Sequence, residues 1–274
     1  MTGPPMQRFQ GIFGAKKPVI AMVHFGALPG TPLYDAVGGI EKLIEGCRND
    51  LRALQSAGVD AVMFGNENDR PYEFKVDVAS TATMAHVIGI LKSEIKVPFG
   101  VNVLWDGMSS VALAAATGAA FVREIYTGLY ASDMGLWQTN AGQAMRYRSR
   151  LQRDDLAMFF NISAEFAASL DQRSLVDRAR SAVFSSVPDA ILVSGAITGE
   201  APSMSDLGSV KKALPTTPVL ANTGVKAETV GEVMKLADGC IVGSSLKFDG
   251  NTWNAVDGNR AARFMAEARK SRGY

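Results

Sequence analysis

The chain is poor in the residues that most often hold metals and redox cofactors. It has two cysteines and two histidines in 274 residues, which leaves no Cys/His cluster of the zinc-site kind. Cys47 falls on the apolar face of a predicted helix and Cys240 in a predicted strand, so both read as reduced core residues. No predicted strand interior carries a lysine, which disfavours imine chemistry of the aldolase type. A Gly-x-x-x-x-Gly-Lys-Ser/Thr loop is missing, as is any flavin or dinucleotide fingerprint. Charge of one sign is also lacking. The formal net charge is +1, which argues against a nucleic-acid partner. The most apolar stretch, Val111 to Val122, is too short to span a bilayer and is interrupted by Thr117-Gly118. Met1 to Gln10 has no apolar segment of the secretory type, so a cytoplasmic location is expected. With no linker, low-complexity tract or charge block, residues 1–274 read as one domain.

What is present is a repeated alternation. Short β-rich runs recur, each followed by a helical pattern: Val19–Val23, Ala61–Phe64, Phe99–Leu104, Phe121–Ile125, Ala157–Asn161, Ala190–Val193, Val219–Ala221 and Cys240–Val242. After the first run, Ile40, Leu43, Ile44, Cys47, Leu51 and Leu54 mark one helical face and Gly58 ends it. Met84, Val87, Ile88 and Leu91 repeat the stripe after the second. Eight such units predict an α/β fold, a single (β/α)₈ TIM barrel with parallel strands; an open doubly wound sheet is the alternative. Gly26–Asp35, Glu67–Asp77 and Tyr126–Gln138 are the longest non-periodic insertions. All follow strands, which makes them lids or pocket walls on the catalytic rim.

Residues just past the strand ends of such a barrel converge on one pocket. Here they are His24, Asn66 with Glu67, Asn102, Arg123 with Glu124, Asn161, Ser194 with Gly195, Asn222 to Gly224, and Gly243 with Ser244. The last two groups follow the seventh and eighth strands, where Gly lets backbone N–H groups approach a phosphate. A phosphorylated small molecule is therefore the expected ligand, held by Ser194, Gly195, Asn222, Gly224, Gly243 and Ser244. His24 suits acid–base work because imidazole titrates near neutrality. Glu67 and Glu124 form the best carboxylate pair, expected to face each other across the mouth, splitting acid and base roles or holding a divalent cation. Asp133 lies in a long loop that can close on the ligand. Asn66, Asn102 and Asn161 are either substrate-binding amides or loop braces. Arg123 and Lys247 are available to an anion. Arg146, Arg148, Arg150 and Arg153 read as a solvated face with salt bridges. Met134, Leu136, Trp137 and Phe166 are rim residues for a pocket wall or a subunit contact.

The chain resembles the BtpA/SgcQ family over nearly its whole length. The resemblance rests on Met22-Val-His24, Leu28-Pro-Gly30, Glu67-Asn-Asp-Arg-Pro71, Gly100-Val-Asn-Val-Leu104, Phe121-Val-Arg123, Ser132-Asp133-Met-Gly135, Tyr147-Arg148, Val193-Ser-Gly-Ala-Ile-Thr-Gly199, Ala237-Asp-Gly-Cys-Ile-Val-Gly-Ser-Ser-Leu-Lys247 and Val256-Asp257. It implies a TIM-type barrel with a C-terminal phosphate cradle. The family takes its name from a cyanobacterial member linked to photosystem I biogenesis. Other members look like parts of sugar or nucleoside utilisation systems, and a nucleoside-triphosphatase label is attached to some. Asn161-Ile-Ser-Ala-Glu165 departs from the Lys-His-Ala type of pattern at the fifth strand, and Asn222-Thr223 stands where a Ser commonly precedes the Gly. Two readings follow. One is an enzyme acting on a phosphorylated sugar or nucleoside-derived phosphate, by isomerisation, epimerisation, carbon–carbon or glycosidic cleavage. The other is a non-catalytic assembly factor. A homo-oligomer is expected in either case.

Overall fold

The computed structural model describes residues 5–272. Eight parallel strands close on themselves: β1 (Val19–His24), β2 (Ala61–Gly65), β3 (Phe99–Asn102), β4 (Phe121–Glu124), β7 (Ala157–Asn161), β9 (Ala190–Val193), β10 (Val219–Ala221) and β11 (Cys240–Val242), with β11 paired back to β1. The barrel is closed, so the open-sheet alternative falls. Helices α2 (Gly39–Ala57), α3 (Val78–Leu91), α4 (Gly107–Thr117), α5 (Ala141–Arg150), α6 (Leu175–Ser186), α7 (Met204–Ala213), α8 (Val230–Leu236) and α9 (Gly258–Ser271) surround it. Their ends follow local chemistry. Asp106 caps α4 by accepting the N–H groups of Met108 and Ser109, and Gly58 ends α2 in the left-handed conformation at φ 79°.

Strand alternation sorts the side chains into two cores. Val19, Ala21 and Val23 of β1 face the helices, whereas Ile20 and Met22 face the barrel interior. The same parity turns Phe121 inward and Val122 outward on β4, and Phe159 inward and Phe160 outward on β7. Phe121 and Phe159 stack with centroids 5.0 Å apart. A helix not expected from the sequence, α1 (Pro5–Phe13), sets Phe9 and Phe13 against them as the barrel floor. The cytoplasmic expectation drawn from Met1 to Gln10 lies partly outside the described residues, and among those described no helix is long and apolar enough to cross a membrane.

Three sequence expectations change. The third and fourth strands stop at Asn102 and Glu124, short of the predicted Leu104 and Ile125. The insertion Tyr126–Gln138 is a β-hairpin, β5 (Leu129–Ser132) with β6 (Gly135–Gln138), and β8 (Ala167–Ser169) adds to its edge. Its inner side buries Tyr130 and Trp137 on Trp105, and its outer side leaves Leu136 exposed. The basic run is not uniformly solvated. Arg148 is buried 3.7 Å from Asp189, and Arg153 donates to the carbonyls of Ala114 and Ala119. Cys47 and Cys240 are free and buried, as read from the sequence.

Phe159→Ala should cost about 3–5 kcal/mol, the range for emptying a packed aromatic site. A lowered urea midpoint with an unchanged slope is the expected readout.

Candidate active site

Inward parity continues past the strand ends and selects the rim residues that meet. His24, the last residue of β1, is buried with Nε2 3.5 Å from Glu67 Oε1 and Nδ1 3.4 Å from the Thr252 carbonyl. Two glycines make the room. A Cβ on Gly65 would stand 2.7 Å from Glu67 Oε2, and one on Gly243 would stand 3.3 Å from the His24 ring. Arg123 projects inward from β4 between its neighbours. Its Nη1 donates to Asn222 Oδ1 at 3.1 Å, its Nη2 donates to Asn102 Oδ1, and Glu67 lies 3.9 Å away. Asn222 in turn donates to Ser194 Oγ at 2.7 Å.

These groups line a small inner chamber of about 50 Å³, together with Tyr72, Trp105, Glu165, Thr198, Gly224 and Ser244. The chamber adjoins a larger one of about 550 Å³. Thr198, Gly199, Gly224, Gly243 and Ser244 belong to both walls. Among the described residues, the backbone N–H groups of Gly224, Val225, Ser244 and Ser245 donate to no protein acceptor. Ser244 Oγ and Thr252 Oγ1 are 2.5 Å apart on the same wall.

Electrostatics set the inner chamber apart. Burial pushes the Glu67 carboxyl up to about 7, against the opposing pull of Arg123 and Lys247. Burial, with Lys247 and Arg123 adding to it, holds His24 well below the ordinary imidazole value. Burial raises Glu165 as well. Glu67 Oε2 and Trp105 Nε1 are buried and have no hydrogen-bond partner among the described residues.

Several candidates sit elsewhere. Glu124 does not face Glu67. It follows Arg123 on the strand, so it turns outward, accepts from Asn102 Nδ2 at 2.9 Å and Ile125 N at 2.6 Å, and is pushed up to about 8 by burial. The two carboxylates therefore do not share a cation, and among the described residues no three His, Cys, Asp or Glu side chains converge as a metal site. Asp133 is exposed at the hairpin turn, away from both chambers. Asn66 bridges Asp69 and the Leu104 N–H, Asn161 accepts from Ser163 N, and Asn102 ties Arg123 to Glu124, so all three brace loops and strand ends. The Gly195 N–H is spent on Thr223 Oγ1 at 2.7 Å. Gly195 and Gly224 are needed because any Cβ there would strike the backbone of Glu200 and Ala201. Lys247 is buried and paired with Asp50 at 3.3 Å, so it does not reach a ligand.

Glu165, Tyr72, Trp105 and Thr198 were not picked out as ligand-binding residues from the sequence. Glu165 accepts from Thr198 Oγ1 at 2.6 Å. Tyr72 donates to the Glu67 carbonyl at 2.9 Å and packs edge-on against Trp105.

The closed ring of parallel strands with a polar chamber at their C-terminal ends defines a TIM-barrel protein. Its chain belongs to the BtpA family, whose model matches residues 15–270. The sgc region protein SgcQ of Escherichia coli is 47% identical over 260 residues, covering 95% of this chain and 97% of SgcQ. The photosystem I biogenesis protein BtpA of Synechocystis is 33% identical over 273 residues, covering 97% and 94%. Among solved structures, tryptophan synthase from M. tuberculosis in its aminoacrylate-bound form aligns with a TM-score of 0.61 at 15% identity, covering 97% of this chain and 99% of that one. At that identity the likeness shows the fold alone.

The buried carboxyls make stability fall with rising pH. Folded Glu67 and Glu124 stay protonated up to about 7 and about 8, whereas the unfolded chain ionises them near 4.5. Their contribution is full below the unfolded value and is lost as the pH rises through the folded ones. His24 acts in the opposite sense, but only below its unfolded value of 6.5. Melting temperature should therefore drop from about pH 4.5 to about pH 8, most steeply above pH 6.5 where His24 no longer opposes it, and Glu124→Gln should remove the part of the drop above about pH 7.

Proposed function

We propose that this chain is an enzyme acting on a phosphorylated sugar or nucleoside-derived phosphate, with acid–base chemistry at the barrel mouth. The observation that carries the reading is Glu67 Oε2, a buried carboxyl oxygen without a partner, in a chamber wall beside His24. A protein that only packs against partners has no reason to keep such an oxygen desolvated and unpaired in a residue that lines a cavity. The unpaired N–H groups of Gly224, Val225, Ser244 and Ser245 supply the phosphate end.

The roles follow from the two environments. His24 is neutral at physiological pH and accepts a proton. Glu67, poised near neutrality, delivers one. Arg123 stabilises negative charge that develops on an oxygen between them, and its fork is held in place by Asn102 and Asn222. Isomerisation, epimerisation, and carbon–carbon or glycosidic cleavage all use such a pair of proton carriers.

A thermal-shift screen against phosphorylated sugars and nucleotides tests the cradle. A compound at about 100 times its dissociation constant adds about 2.7 kcal/mol, a shift of a few degrees. Gly243→Asp should abolish that shift. On a substrate so identified, Glu67→Gln should lower kcat by about 10²–10⁴ and remove the alkaline limb near pH 7. A Glu67→Gln variant that kept full turnover would refute the assignment.

A further inference from the structure

The two chambers differ in size by an order of magnitude, about 50 Å³ inside and about 550 Å³ outside. The inner one, lined by Arg123, Glu165 and Trp105 among others, has room only for a fragment of a few heavy atoms. The outer one falls in the range of sites that hold a drug-sized ligand. The cradle residues Gly224, Gly243 and Ser244 line both. A phosphate held there stands between the chambers, not at the end of one.

On the proposed phosphate reading, we infer that the ligand's phosphoryl unit is substituted on both sides: a phosphodiester or a diphosphate bridge. A short polar carbon unit points inward to His24 and Glu67, and a bulkier polar group points outward. A terminal monoester would leave the outer chamber without an occupant, and a hexose chain does not fit the inner one. The outer wall is built for such a second substituent. Arg260 and Lys226 lie in it, with Glu200 and Asp249 as acceptors for hydroxyl groups. Arg260 is held by a bond from Nε to the Ser245 carbonyl at 3.0 Å, which leaves its other nitrogens for a second phosphoryl group or for oxygen atoms beyond it. Arg263 is already paired with Glu228 at 2.7 Å and marks the far edge.

Matched ligands test this by calorimetry. Glycerol 3-phosphate offers a short inner end on a monoester. Glycerophosphoglycerol and CDP-glycerol keep that end and add an outer substituent through a diester and a diphosphate. At least one bridged compound should bind about tenfold or more tightly than the monoester. Arg260→Ala should shrink that preference to about threefold or less. Equal binding of all three would overturn the bridge and leave the phosphate reading standing. Ser244→Asp separates the two further. It should abolish binding of every compound, and binding that survives it, in a variant with an unchanged far-ultraviolet spectrum, would overturn the cradle itself. No binding of any compound, inorganic phosphate included, would overturn both.

Discussion

The guanidinium of Arg123 sits at the centre of the barrel mouth, almost wholly removed from water, and its charge has to be answered by fixed neighbours. Asn102 and Asn222 give it oxygen atoms from two sides, and the Glu67 carboxyl lies 3.9 Å away. Asn222 can do so because Ser194 takes its amide hydrogen, and Asn102 because Glu124 takes its own. One buried cation thus fixes the orientation of side chains on β3, β4, β9 and β10. Glu67, 3.9 Å from that guanidinium, and His24, 3.5 Å from Glu67, sit against this fixed network.

Much of this was legible in the chain. Recurrent apolar runs marked eight strands, and strand ends marked the rim, so His24, Glu67, Arg123 and the Gly243-Ser244 turn could be named in advance. What a single sequence does not carry is parity. Arg123 and Glu124 are adjacent and both polar, and only the register of a closed barrel decides which one looks inward. Glu165 stands four residues past its strand and reaches the chamber through a loop whose path no periodicity encodes. Lys247 looked like a phosphate ligand until Asp50, 197 positions away, proved to hold it. The glycines were read for their closeness to phosphate. At Gly195 and Gly224 the nearer constraint is the backbone of Glu200 and Ala201, a long-range contact.

The family relationship and the chamber bear on different questions. SgcQ and BtpA share this chain's full length, so they share its barrel. One is named for the sgc region and the other for photosystem I biogenesis, which is consistent with a common scaffold whose rim loops are where function is set. In this chain the rim is closed over by aromatic rings: Tyr72, Trp105 and Trp137 form a continuous edge-to-face series, with Phe74 stacked on Trp137. Tyr72 and Trp105 of this series line the inner chamber beside Glu67 and His24.

The helix beneath the barrel has a consequence for traffic. With Phe9 and Phe13 wedged under Phe121 and Phe159, the lower end of the barrel is stoppered with hydrocarbon. The other end of the barrel carries the larger chamber, with Lys226 and Arg260 in its wall.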